Sequence, residues 1–210
     1  MDYIKNNEKF IINILLFLIV ILGIYFCFIG GYGSDEDTLP MIYVFEAKLG
    51  DGRFVSSRFT GNPVAELGIG FLSYFFGSWA ANLSTYLFLL LGLVAFYFFF
   101  EKKEFFKEIN IFLFLALTSP IIFFDNLEPI DYSWAFFFFS LGLLLFSKKI
   151  FELSILFFAL SIGVRINYTL FVLVAIFFFE FDSPVSFKKR ITIFLTTFIM
   201  GGLFYLPVWF

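Results

Sequence analysis

Three consecutive carboxylates, Asp35-Glu36-Asp37, open the only sizeable polar loop of a chain that is otherwise dominated by apolar runs. Clustered acids of this kind can take a proton from a hydroxyl or an amine, because partial desolvation and like-charge neighbours raise a carboxylate pKa. They can also hold a divalent cation, Mg²⁺ or Mn²⁺, through oxygen ligands, although no spacing here demands a metal. A second group of acids, Asp125, Glu128 and Asp131, lies between two apolar runs, and Arg165 stands between Val164 and Ile166. A guanidinium in such a setting costs about 2.5–3.5 kcal/mol at mid-membrane on insertion scales, so it calls for a partner or an anionic ligand. Histidine is absent and Cys27 is the single cysteine. That removes imidazole relays, Ser-His and Cys-His nucleophiles, thiolate metal clusters and disulfides. Any catalysis must run on carboxylates, Lys, Arg, Tyr or a borrowed metal.

The elements that would position these residues are membrane helices. Hydrophobic residues make up 61% of the chain and charged residues 15%, and apolar runs of spanning length recur from end to end. The 39 phenylalanines read as compositional bias, not as aromatic chemistry. The spacing predicts an all-α, polytopic membrane protein forming a single membrane domain over residues 1–210. About seven spans are expected: Phe10–Gly30, Trp79–Phe100, Ile109–Phe124, Tyr132–Phe146, Ile150–Val164, Ile166–Phe179 and Ile191–Phe210. The first has no small-residue cleavage site and reads as a retained anchor. Residues 31–62 form an extracytoplasmic loop with a short amphipathic helix from Thr38, its apolar stripe being Met41, Ile42, Phe45 and Leu49. A second interfacial helix covers 64–76 and breaks at Gly77-Ser78.

With the N-terminus in the cytoplasm, Lys5, Lys9, Lys102, Lys103, Lys107, Lys148, Lys149, Lys188, Lys189 and Arg190 fall inside, leaving Lys48, Arg53, Arg58 and Arg165 outside. This is the positive-inside pattern, and it puts the acidic loop on the outer face of a plasma (inner) membrane. Simpler roles compete with the functional ones. Acids ahead of a helix start favour its N–H groups and dipole. Arg165 can pair with Asp131 or Glu128, and juxtamembrane bases commonly contact lipid headgroups.

The order of features is an anchor helix, Asp35-Glu36 with Gly50 fifteen residues after the Asp, Arg58, Gly61-Asn62-Pro63 leading into an interfacial helix that ends Phe76-Gly77, an acidic turn ending in Asp131, and a Gly163-Val164-Arg165 hairpin tip. That series resembles the N-terminal half of GT-C-type membrane glycosyltransferases, the superfamily of protein mannosyltransferases and the lipid A aminoarabinose transferase. It covers essentially all 210 residues, and the order and sidedness of one- and two-residue motifs carry it. The resemblance implies inverting transfer of a sugar from a polyprenyl-phosphate-linked donor to an acceptor at the outer face. Asp35 would be the general base, with Glu36 beside it and Asp37 as the competing base. Asp131 and Glu128 would contribute from the acidic turn, and Arg165, then Arg58, would contact the donor phosphate. The family's later spans and C-terminal domain have no counterpart, so the chain is expected to be the N-terminal part of a longer architecture. The expected partners are the bilayer and the lipid-linked donor, with no nucleic acid. Two other classes compete: a lipid-linked-oligosaccharide flippase or transporter, disfavoured because the charges sit at span ends and no Gly/Pro-interrupted spans recur in corresponding halves, and a truncated, non-catalytic membrane protein.

Overall fold

The computed structural model describes residues 2–33, 38–52, 56–57, 61–101, 108–179 and 185–209, and every regular element among them is a helix. The acidic triplet and Arg58 therefore lie outside the described residues. The elements are α1 (Asp2–Ile29), α2 (Thr38–Asp51), α3 (Pro63–Phe76), α4 (Ser78–Glu101), α5 (Ile109–Leu117), α6 (Pro120–Asp125), α7 (Tyr132–Ser147), α8 (Phe151–Val164), α9 (Tyr168–Phe178), α10 (Phe187–Leu203) and α11 (Leu206–Trp209).

Local chemistry explains most of these boundaries. Pro63 opens α3, where a missing N–H costs nothing. Gly77 ends that helix at φ +83, a conformation that disfavours any side chain, and its N–H donates to Ser73 O. The break expected at Gly77-Ser78 is present, and α4 starts at once. Two expected spans are divided. The run Ile109–Phe124 separates into α5 and α6 because Pro120 cannot donate to the helix ladder and holds Ser119 extended at ψ 117. The last run separates into α10 and α11 just ahead of Pro207, for the same reason.

Two helical stretches are long and apolar enough to cross a membrane, Lys9–Ile29 with 21 residues and Ser78–Glu101 with 24; α3, α7, α8 and α9 are shorter apolar helices. The two long stretches differ in place. Only 11% of the first is buried, so α1 lies at the periphery, whereas 44% of α4 is buried, and α4 packs on α1, α3, α5 and α7. From α7 the packing continues to α8 and then α10, while α2 lies on α3. The buried stripe of α2 is Thr38, Met41 and Val44, and Leu49 points outward, so the contact face is rotated from the expected one.

Large hydrophobic side chains cover much of the outside, among them Phe10, Phe17, Leu115, Ile121, Leu170 and Phe178. The interior, by contrast, holds Glu66, Asp131, Asn62, Asn82, Thr85 and several serines. Glycines let the inner helices approach closely. A Cβ on Gly142 would stand 2.6 Å from the ring of Phe158, which is fully buried and cannot withdraw, whereas a Cβ on Gly202 would meet nothing within 4 Å. Gly142→Ala is therefore expected to destabilise the fold by about 1–3 kcal/mol through overpacking. Gly202→Ala should leave stability unchanged or slightly raised, since Ala is the better helix former. Thermal unfolding of both variants in one detergent checks the contrast.

Candidate functional site

The polar centre of the molecule is built where α3, α7 and α8 end. Asp131 occupies the N-cap position of α7 but its side chain makes no capping bond. The carboxylate, fully buried, instead accepts from Asn62 Nδ2 at 2.7 Å and from Arg165 Nη1 at 3.4 Å. Asn62 is fixed by its place just before Pro63, where its carbonyl starts α3 by accepting from the Glu66 N–H at 2.9 Å. Arg165 is fixed by α8: it is the C-cap residue, with extended backbone and its N–H bonded to Ser161 O. The hairpin tip expected at Arg165 is thus the link between α8 and α9.

The guanidinium is held on several sides. Its carbon lies 3.9 Å from the centroid of the Tyr132 ring, and its side chain is 18% exposed, against 0% for Asp131. Burial opposes the charge on Arg165, but the Asp131 carboxylate, aided by Tyr132 and Tyr168, more than offsets this and moves its pKa upward. Arg165 therefore stays cationic at any physiological pH. The expected alternative of an ion pair with Asp131 is what the geometry contains. It does not exhaust the guanidinium, which has five N–H donors.

One turn into α3, Glu66 is fully buried as well. Its Oε1 accepts from the backbone N–H of Ser57 at 2.9 Å and from the Ser57 hydroxyl, and its Oε2 has no hydrogen-bond partner among the described residues. Tyr205, beyond α10, donates its hydroxyl to Ile162 O at 2.8 Å and lies within electrostatic range of Glu66, Asp131 and Arg165. The ends of α3, α7 and α8 and the turn after α10 thus supply the buried polar side chains of this region. Glu128 is half-buried, and a Cβ on Gly33 would come within 2.0 Å of its Cδ, so the residue two positions before Asp35 rests against the acidic turn. Asp125 is exposed at the end of α6. On the other side of the triplet, Thr38 is fully buried at the start of α2. Tyr32 adds a tie, its hydroxyl lying 2.8 Å from Ser73 Oγ.

Of the residues expected at the site, Asp131 and Arg165 are brought together and Glu128 stands where the loop begins. Asp35, Glu36, Asp37 and Arg58 are outside the described residues. The sequence assigns no site role to Glu66, Tyr132 or Tyr205, and it uses Asn62 only as part of the Gly61-Asn62-Pro63 helix entry. The usable signal for Glu66 was an acid one turn after a Pro-initiated helix start in an apolar stretch, although a first-turn acid is also ordinary helix chemistry. Asn82, which begins a glycosylation-like triplet, is buried and donates to Gly31 O at 2.6 Å, which ties the end of α1 to α4. Among the described residues no three His, Cys, Asp or Glu side chains converge to hold a metal ion. No protein-family model, curated protein or solved structure matches the chain.

Removing either member of the Asp131–Arg165 pair should be unequal in effect. Arg165→Met takes the guanidinium from a carboxylate with no solvent access, and breaking buried pairs in this way costs about 3–5 kcal/mol. Asp131→Asn leaves a neutral amide facing a partly exposed cation that can turn outward, and should cost about 1–2 kcal/mol. Denaturant unfolding of both variants in micelles tests the order.

Proposed function

We propose that the chain is a polytopic protein of the plasma (inner) membrane, crossing it about seven times with its N-terminus in the cytoplasm. In this reading it transfers a sugar from a polyprenyl-phosphate-linked donor to an acceptor at the outer face. The observation that carries the reading is the buried Asn62–Asp131–Arg165 cluster. Glu128, three residues before Asp131, lies against Gly33, which precedes the acidic triplet by two positions in sequence. An exterior rich in large apolar side chains around an interior that holds carboxylates is the arrangement expected of a chain solvated by lipid. Several helices are shorter than a full crossing of about 20 residues, and tilt does not lengthen them.

The chemistry follows from residue types. The acceptor hydroxyl or amine attacks the anomeric carbon while Asp35, or Asp37 in its place, takes its proton. The bond from that carbon to the phosphate oxygen breaks, and the electron pair leaves with the polyprenyl phosphate. Attack opposite the leaving group inverts the anomeric centre. Arg165, kept cationic and oriented by Asp131 and Tyr132, holds the phosphate as its charge grows, and Arg58 is the second candidate. Asp131 is then a positioning residue for Arg165, Glu128 borders the entrance, and Glu36 supports the base. The transporter alternative gains nothing from the geometry, since the charged pair joins helix ends.

The test is transfer from a radiolabelled polyprenyl-phosphate sugar by the purified protein in lipid nanodiscs. Asp35→Asn should lower the rate by about 10²–10⁴-fold, the usual worth of a general base. Loss in Asp37→Asn with Asp35→Asn intact would move the base to Asp37. Undiminished transfer in the double variant would overturn the carboxylate mechanism.

A further inference from the structure

Two basic turns that are about forty residues apart in sequence meet at one end of the bundle. α8 and α10 pack on each other and start at the same end, because Lys189 Nζ, in the first turn of α10, lies 3.9 Å from the centroid of the Phe151 ring that opens α8. Phe151 follows Lys149 by two positions, so Lys148 and Lys149 adjoin Lys188 and Lys189, and all four lysines are exposed. We propose that this end of the bundle is a docking surface for the headgroup of an anionic phospholipid of the inner leaflet. The proposal rests on the reading of the chain as a polytopic membrane protein with its N-terminus in the cytoplasm; it does not rest on sugar transfer.

The charge count singles the place out. Residues 147–153 and 180–190 together hold five bases against the acids Glu152, Glu180 and Asp182, an excess of two positive charges. The other segments that the same topology puts on the inner side are balanced: residues 1–9 carry two bases and two acids, and residues 101–108 carry three of each. The positive excess of the inner face is therefore confined to the start of α8 and α10. Anionic lipids concentrate in that leaflet, and juxtamembrane lysines attract them.

Local stability does not account for these lysines. Lys188 and Lys189 stand in the first turn of α10, where the helix dipole disfavours positive charge. Lys149 has φ +62, in the left-handed region that favours glycine. A phosphate held against the lysines offsets the first of these penalties. Within two turns along the same helices, Leu153 and Leu156 on α8 and Ile191 and Leu195 on α10 are exposed. Charge and apolar surface in this succession suit a headgroup with its acyl chains, and not a soluble anion or an acidic protein.

The experiment reads lipid selectivity by tryptophan quenching with the full chain in phosphatidylcholine nanodiscs. Brominated phosphatidylglycerol or brominated phosphatidylcholine is added at one mole fraction, and the signal of the three native tryptophans is subtracted with the parent protein. The reporters are Ile150→Trp, beside Lys149 and 40% exposed, and Ile121→Trp, in α6 and 72% exposed. Phosphatidylglycerol should be enriched at the Ile150→Trp reporter by about fivefold for each lysine that meets the phosphate, and not enriched at the Ile121→Trp reporter. Adding Lys149→Gly should lower the enrichment by about fivefold while leaving the thermal midpoint unchanged or raised, which separates lost binding from lost folding. Lys189→Gln should lower it similarly. Equal quenching by the two lipids at Ile150→Trp, as a site for a soluble anion or an acidic protein would give, overturns the proposal. So does an enrichment that is the same at both reporters, or one that survives both lysine variants. Failure of the chain to insert into nanodiscs would sink the membrane reading and this proposal with it, whereas insertion with equal quenching sinks this proposal alone.

Discussion

A carboxylate with no access to solvent must be matched by donors or by a cation, and at Asp131 the match is made by parts of the chain far apart in sequence. Asn62 reaches it from the start of α3 and Arg165 from the end of α8. The ends of α3, α7 and α8 are thus registered to one another by a polar contact, while the apolar faces between them, such as Trp134, Ala135 and Val164, pack without directional preference. The contact also sets the charge of the region. Asp131 offsets the cost that burial puts on the Arg165 charge, and Asp131 can be buried as a carboxylate because Arg165 and Asn62 are there. Local stability and the proposed handling of an anionic leaving group therefore depend on the same pair.

This arrangement is the reverse of what water would favour. Glu66, Asp131, Asn62 and Asn82 are inside, while phenylalanines, leucines and isoleucines stand outside along α1, α5, α9 and α10. In lipid an apolar exterior is stable without a partner, and each buried polar group must then find its bonds within the bundle. The Asn82 amide nitrogen does so at the end of α1, and Ser154 does so by donating to Gly142 O at 3.0 Å where α7 meets α8. Among the described residues Oε2 of Glu66 and the side-chain oxygens of Thr38, Asn82 and Thr169 are buried without a partner. The other oxygen of Glu66 holds Ser57, which with α2 lines a cleft.

Much of this could be read from residue order. The start of α3 at a proline, its end at Gly77 and the turn that carries Arg165 follow from local backbone chemistry, and the pairing of Arg165 with an acid of the preceding turn follows from the cost of an isolated charge. Pro120 and Pro207 were equally visible, yet hydropathy averaged across them, so two continuous spans were expected where the missing N–H divides the helix. The buried face of α2 was misjudged because Leu49 and Ile42 are as apolar as Val44; which of them is covered depends on α3, through the close approach at Gly70 to Phe45 and the Met41 carbonyl. Glu66 was not recognisable as special because its burial arises from tertiary packing that no local pattern encodes.

If the acidic triplet and the Asp131–Arg165 pair form one outward-facing site, the distance between them in the intact protein must be short. Spin labels placed at Asp35→Cys and at Ile166→Cys, an exposed neighbour of Arg165, report it by pulsed electron resonance; Cys27 is buried and would not take the label. A distribution centred within about 20 Å is expected, which allows for the label arms and for a sugar between groups that exchange a proton at hydrogen-bond range. A single distribution centred beyond about 30 Å would contradict it, since no donor sugar could then touch both groups at once.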